Sequence, residues 1–199
     1  MAVSAEMVRD LRHRSGAGIM DCKEALKESS GNVDEAIDYL RKKGISKADR
    51  KSGRETSEGI VSSYIHAGGR IGVLLEINCE TDFVARNEVF QTLVKDVAMH
   101  IAATSPAYVT PEDIPKNVLE KEKEILTAQA KESGKPDKII PKIVDGRLAK
   151  FYEEQCLMKQ KFVKDDKKTV EELVKARISK LGENIAIRRF SRYELGESL

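Results

Sequence analysis

The chain has 199 residues, and its 35 Lys and Arg nearly balance 33 Asp and Glu, for a net charge of +2. That balance supplies no general electrostatic drive toward nucleic acid, and five Phe, five Tyr and no Trp argue against a base-stacking surface. No apolar run approaches the roughly 20 residues that a membrane span needs, and the start shows neither a secretory signal nor an Arg- and Ser-rich transit peptide.

Cys22, Cys79 and Cys156 are odd in number and far apart, which fits reduced thiols in a cytoplasmic protein. His13, His66 and His100 are scattered, and no Cys-x-x-Cys or His-Glu-x-x-His spacing occurs, so no metal site is expected.

Three short helices are predicted within residues 1–44. Ser4 caps the first, Val3 and Val8 form its hydrophobic staple, and Met7, Val8 and Leu11 make its apolar stripe. Two glycines in Ser15-Gly16-Ala17-Gly18 break the pattern. Asp21 with Glu24 resembles a capping box for a second helix that buries Cys22, Ala25 and Leu26 and ends at Gly31. Asn32 caps the third, where Val33, Ala36, Ile37 and Leu40 share a face, and Gly44 closes it. From Arg41 to Arg54 run seven basic residues (Arg41, Lys42, Lys43, Lys47, Arg50, Lys51 and Arg54) against one acid, Asp49. No aromatic is interleaved, so a solvated linker or exposed helix fits this stretch better than a nucleic-acid contact.

A hairpin follows. Residues 59–66 are β-rich, Ala67-Gly68-Gly69-Arg70 carries turn chemistry, and Ile71, Val73, Leu75, Ile77 and Cys79 alternate on one face. Thr81-Asp82-Phe83-Val84 then stands where this strand hands over to a helix with Phe90, Leu93, Val94, Val97 and Ile101 on one stripe. Two readings fit the corner. Phe83 caps the local core while Asp82 caps the helix, as the usual burial of Phe favours; or the ring projects and enters another protein. His100, beside the stripe, reads as a packed or exposed helix residue.

Thr110-Pro111-Glu112-Asp113 marks a turn or helical start. Two charged helical stretches flank Gly134-Lys135-Pro136, one with a seam of Val118, Leu119, Ile125 and Leu126, the other with Ile139, Ile140, Ile143, Val144, Leu148 and Phe151. They predict an antiparallel helical hairpin at about residues 115–156, with Pro141 placing the regular start of its second helix. Thr169 and Glu172 resemble a capping box for a last helix that Gly182 stops, and residues 184–194 read as a strand that joins the earlier hairpin. The fold class is therefore α+β: a three-helix segment with its basic linker (1–55), then an antiparallel sheet packed with helices (56–199).

Enzyme signatures are missing. No phosphate-binding Gly-x-x-x-x-Gly-Lys loop or Gly-x-Ser-x-Gly elbow occurs, and the carboxylate pairs Glu153-Glu154 and Asp165-Asp166 sit in solvated charged segments.

Four segments, taken together, resemble bacterial elongation factor Ts, the family of guanine-nucleotide exchange factors for elongation factor Tu. They are residues 11–23 (Leu-Arg-His-Arg-Ser-Gly-Ala-Gly-Ile-Met-Asp-Cys-Lys), Thr81 to Ala85, Lys161-Phe162-Val163, and Leu181 to Ile185. The resemblance implies a ubiquitin-associated-like N-terminal module that grips the nucleotide-binding domain of the GTPase through Arg12, Ile19 and Met20. It implies that Thr81, Asp82, Phe83 and Val84 contact the GTPase, with Asp82 and Phe83 entering near its magnesium and phosphates, and that His66, Gly68 and Gly69 touch another domain. No cofactor, nucleic acid or membrane is implied. The chain has one sheet-forming core segment where longer members have two, so the resemblance implies a homodimer in a 2:2 complex. A ubiquitin-associated-type adaptor or ribosome-associated chaperone, and an RNA-binding protein using residues 41–54, are the alternatives from other classes; the first leaves the Thr-Asp-Phe corner unexplained and the second is disfavoured by the near-neutral charge.

Overall fold

The structure is a computed structural model that describes residues 3–134 and 136–197, and the side chains of all of them but Ile45 and Lys47. The first two residues, Lys47's place in the basic run and Lys135 of the predicted turn thus fall wholly or partly outside the described residues. The first half contains α1 (Ala5–Ser15), α2 (Ile19–Glu28), α3 (Val33–Asp49), β1 (Glu58–Ile65), β2 (Ile71–Cys79), α4 (Asp82–Ala85) and α5 (Glu88–Thr104). After it come α6 (Lys116–Glu132), α7 (Ile140–Gln155), β3 (Lys161–Phe162), β4 (Asp165–Thr169), α8 (Val170–Leu181) and β5 (Ile185–Glu194). Mixed helix and antiparallel sheet agree with the α+β expectation. Two compact units divide these elements: the described parts of residues 1–60, 77–93 and 172–186, and those of 61–76, 94–171 and 187–199.

In the first unit Ser4 caps α1 by accepting the Met7 N–H at 3.2 Å, and Asn32 caps α3 by accepting from Asp34 and Glu35. Leu11, Cys22, Ala25, Leu26 and Ala36 form the core of the three helices, with Val3, Val8, Val33, Ile37 and Leu40 packed around it. Full burial of Leu11 and of Leu26 contributes about 1.5–3 kcal/mol each.

Two helix boundaries differ from expectation. α2 starts at Ile19 with Gly18 as its cap, so Asp21 and Glu24 form no capping box there. Instead the Lys43 ammonium approaches Asp21 at 3.2 Å and Glu24 at 2.6 Å and holds the Glu24 carboxyl below its usual range. Gly44 does not close α3, which continues to Asp49. A Cβ at Gly44 would stand 3.4 Å from the Ser179 hydroxyl, so the glycine serves a close approach to α8.

β1, β2 and β5 form a sheet in that order. Val73, Leu75, Ile77 and Cys79 of β2 are buried, as are Phe90, Leu93, Val94, Val97 and Ile101 of α5, which matches both predicted faces. In the second unit α6 and α7 pack as a pair, joined by Arg147 donating to Gln129 at 2.9 Å. Their seam is Leu126, Ala130, Ile140 and Leu148; Ile125 and Ile139, expected inside, are exposed. Pro141 lies in the first turn of α7, where no intrahelical N–H bond is lost. β3 and β4 form a short antiparallel pair without counterpart among the sequence expectations.

His100, in the second unit, is fully buried and both ring nitrogens are engaged. Nδ1 accepts the Val163 N–H at 3.2 Å, which leaves the proton on Nε2 to donate to Gln160 Oε1 at 3.0 Å. Gln160 Oε1 also accepts from Thr104, and its amide nitrogen donates to the Glu154 carbonyl, so the amide is fixed with its oxygen toward His100, and it is the Val163 N–H at Nδ1 that leaves no room for a second ring proton. Burial holds the His100 pKa below its ordinary value, against the opposing pull of the Gln160 bond. The unfolded chain therefore takes up this proton first as pH falls, and the stability that neutral His100 supports is full above about pH 6.5 and lost below it. His100→Asn, which keeps an acceptor for Val163, is expected to flatten that loss by up to about 1.4 kcal/mol per pH unit. Urea unfolding at several pH values checks this: a difference between parent and variant that does not change with pH would rule it out.

Candidate functional site

β2 ends at Cys79, and two residues later Thr81 becomes the N-cap of the single-turn helix α4. Every polar atom of Thr81 is engaged. Its N–H donates to Glu183 at 3.0 Å, and its hydroxyl donates to the other oxygen of the same carboxylate at 2.7 Å. The hydroxyl oxygen accepts the Val84 N–H at 3.4 Å, while the Thr81 carbonyl accepts from the Ala85 N–H and the Cys79 thiol. Burial, then the charge of Glu183, pushes that thiol up to about 11, so Cys79 is a neutral donor rather than a nucleophile.

The residue before the cap is fixed as well. Glu80 accepts the Asn184 N–H at 2.6 Å and approaches Arg54 at 3.4 Å. Buried Asn184 donates its side-chain amide to the Ser52 and Arg54 carbonyls.

The corner divides its side chains. Val84 and Ala85 point into the core, whereas the Phe83 ring is 82% exposed. The expectation that Phe83 caps the local core is overturned. With Thr81 holding the cap and Val84 and Ala85 filling the interior, no inward position remains for the ring. The helix cap is Thr81, and Asp82 instead pairs with Arg86 at 3.0 Å across one exposed turn. Such a pair contributes only a few tenths of a kcal/mol, so the Asp82 carboxylate can exchange Arg86 for another partner. A bare aromatic ring beside an exchangeable carboxylate, on a backbone that cannot move freely, is suited to insertion into another molecule.

On the three-helix segment Arg12 is exposed, and Ile19 and Met20 are 54% and 74% exposed. Cys22, Ala25 and Leu26 define the buried side of α2, and Met20, two residues before Cys22, falls on the other side. Ile19 joins Val3 and Val8 in a cleft of about 390 Å³ to which Arg9, Arg12 and Lys23 add positive charge. An apolar, cation-flanked cleft accepts an apolar segment that carries acidic groups.

The hairpin tip of the second unit holds His66, Gly68 and Gly69, all exposed. The Gly69 N–H donates to the His66 carbonyl at 2.9 Å, and both glycines adopt the positive φ that such a tight turn requires. His66 Nδ1 lies 3.0 Å from the Tyr64 hydroxyl.

Four of the described cations in the basic run are engaged within the chain. Arg41 pairs with Glu172, Lys43 with Asp21 and Glu24, and Arg54 with Glu80, while Lys51 donates to the Gly182 carbonyl. These intramolecular partners compete with phosphate for the same cations, which weakens the RNA-binding alternative. Among the described residues no group of His, Cys, Asp or Glu side chains could hold a metal ion, and no helix is long and apolar enough to cross a membrane.

Sequence reasoning missed Glu80, Glu183 and Asn184 as contributors to the corner. The only available signal was their place in or beside the quoted segments, because Glu183 and Thr81 are 102 positions apart.

Comparison with known proteins agrees with the four segments. A model of the elongation factor Ts family matches residues 3–197. A Geobacter sulfurreducens protein named elongation factor Ts is 58% identical over 199 residues, covering 100% of this chain and 92% of that relative. Proteins of the same name from Syntrophomonas wolfei and Caldanaerobacter subterraneus are 57% and 56% identical over 197 residues, covering 99% of this chain and 92% and 98% of theirs. A match that runs from the first helix through the Thr-Asp-Phe corner to the last strand places this chain in the elongation factor Ts family.

Proposed function

We propose that this chain is a translation elongation factor that binds elongation factor Tu carrying GDP, promotes loss of the nucleotide, and stabilises the empty GTPase until GTP binds. The observation that carries the reading is the exposed Phe83 ring on a corner whose cap, Thr81, is bound through every polar atom. Magnesium demands near-ideal octahedral geometry and bridges nucleotide phosphates to protein ligands, so a small displacement of those ligands weakens GDP. Phe83, with Asp82 beside it, is the group that displaces them. By reciprocity, a factor that weakens nucleotide binding is itself bound less well once nucleotide returns, which releases the factor for another cycle. The chain makes and breaks no bonds and needs no cofactor; its working place is the cytoplasm.

Residues 1–55 act as the ubiquitin-associated-like docking module, holding the GTPase through Arg12, Ile19 and Met20. Residues 56–199 act as the core that carries Thr81 to Val84, the tip at His66, Gly68 and Gly69, and the hairpin at about 115–156. Release of fluorescent GDP from elongation factor Tu, followed by stopped flow, tests the reading. Release that accelerates and saturates with added chain supports it; release indifferent to the chain ends it.

The working form is a homodimer, two chains with two GTPases. The face of β2 opposite Val73 and Leu75 carries Leu74, and Val61, Ile65 and Tyr193 on the neighbouring strands are also exposed apolar groups. Ile65 leans over Gly72, and Arg189 reaches Glu76 at 2.7 Å at the other side of the same face. An open apolar sheet face of this kind suits pairing with its own copy. Leu74→Glu is expected to convert dimer to monomer with the fold retained. Light scattering on parent and variant decides, and an unchanged mass for the variant would exclude this face.

A further inference from the structure

α4 has four residues, too few to hold its own orientation, since helix nucleation alone is unfavourable. Something outside it must fix the direction in which Phe83 points. Thr81 is the N-cap of the turn, and its hydroxyl oxygen can accept the Val84 N–H reliably only when its hydrogen is aimed elsewhere. Glu183 takes that hydrogen and the Thr81 N–H together, one on each carboxylate oxygen. The backbone on both sides of Glu183 is itself held: the Gly182 carbonyl accepts from Lys51 and the Asn184 N–H donates to Glu80. Gly182, at φ +81°, ends α8 with its N–H on the Ile178 carbonyl and turns the chain so that Glu183 faces the corner.

We propose that Glu183 is a positioning residue for nucleotide exchange: it locks the Thr81 cap and thereby aims the Phe83 ring, without touching the partner. The proposal rests on the reading of Phe83 as the group that enters the GTPase. It differs from a general structural role because its effect passes through one ring.

Glu183→Gln nearly conserves volume but replaces one acceptor by a donor, so at most one of the two bonds to Thr81 survives. Fluorescent GDP release from elongation factor Tu is measured across chain concentrations for the parent, E183Q, F83A and the double variant. E183Q is expected to lower the saturating release rate about 5- to 30-fold while the half-saturating concentration stays within about twofold, because the docking surfaces are untouched. In the Phe83→Ala background the same change should add less than about twofold. If F83A slows release and E183Q does not, Glu183 has no positioning role and the wedge stands. If E183Q lowers the rate equally in both backgrounds, it acts through the fold at large and the proposal is overturned. If F83A itself leaves release unchanged, the wedge fails and this proposal fails with it. Should E183Q melt well below the parent, Glu183→Asp, which keeps both acceptors but shortens their reach toward Thr81, carries the same expectations.

Discussion

Phe83→Ala is expected to slow saturated GDP release from elongation factor Tu about 10- to 200-fold, the range that corresponds to burying one Phe side chain at about 1.5–3 kcal/mol. The free protein should be almost unaffected. The ring is 82% exposed, so truncating it opens no cavity, and the change in unfolding free energy should stay within about 0.5 kcal/mol. The combination separates this residue from its neighbour Val84, which is buried and whose truncation would cost stability first. It also bounds what one ring can do. An acceleration by the intact chain well beyond that range must come from other contacts, for which we propose the surfaces at Arg12, Ile19 and Met20 and at the hairpin tip. Stopped-flow release and urea unfolding on the same preparations check both halves. Parent-like release by a folded variant would remove Phe83 from the mechanism, and slow release by a destabilised variant would show that the ring packs at home.

Much of the fold was legible because local signals and tertiary packing agree. Ser4 and Asn32 cap where short polar residues precede apolar stripes, β2 alternates as a half-buried strand must, and Pro141 fits a helix start. Legibility failed where a distant element changes the meaning of a local signal. Gly44 reads as a stop because glycine favours helix ends, yet it sits inside α3 because Ser179 comes close. Ile125 and Leu126 are adjacent and equally apolar, and only the facing helix selects Leu126 for burial. The β3–β4 pair is short and charged, with no period to detect. At the site, position betrayed the corner but burial statistics pointed the wrong way for Phe83. What makes the ring projectable is a carboxylate from the far end of the chain, and no spacing rule links Glu183 to Thr81.

Gly59→Ala is expected to cost about 3 kcal/mol or more of stability. Gly59, the second residue of β1, has φ 143°, a conformation that L-residues rarely adopt. A Cβ there would collide with the Ile77 carbonyl oxygen and lie 2.6 Å from Asn78 Cα, both backbone atoms that have no rotamer into which to retreat. The strain is local to the site's support. Asn78 donates to the Glu58 carbonyl at 3.3 Å, and the strand that would be pushed away continues through Cys79 and Glu80 to the Thr81 cap. Stability and GDP release should therefore fall together in this variant, unlike the isolated loss of release expected for Phe83→Ala. Gly68→Ala is the matched control. It also replaces a glycine of positive φ, at +87°, but its Cβ meets nothing within 4 Å, so the conformational cost of about 1 kcal/mol acts alone. Urea unfolding of the two variants beside the parent isolates the collision. Equal losses at positions 59 and 68 would mean that backbone angle alone governs both, and that β1 does not crowd the strand leading to the corner.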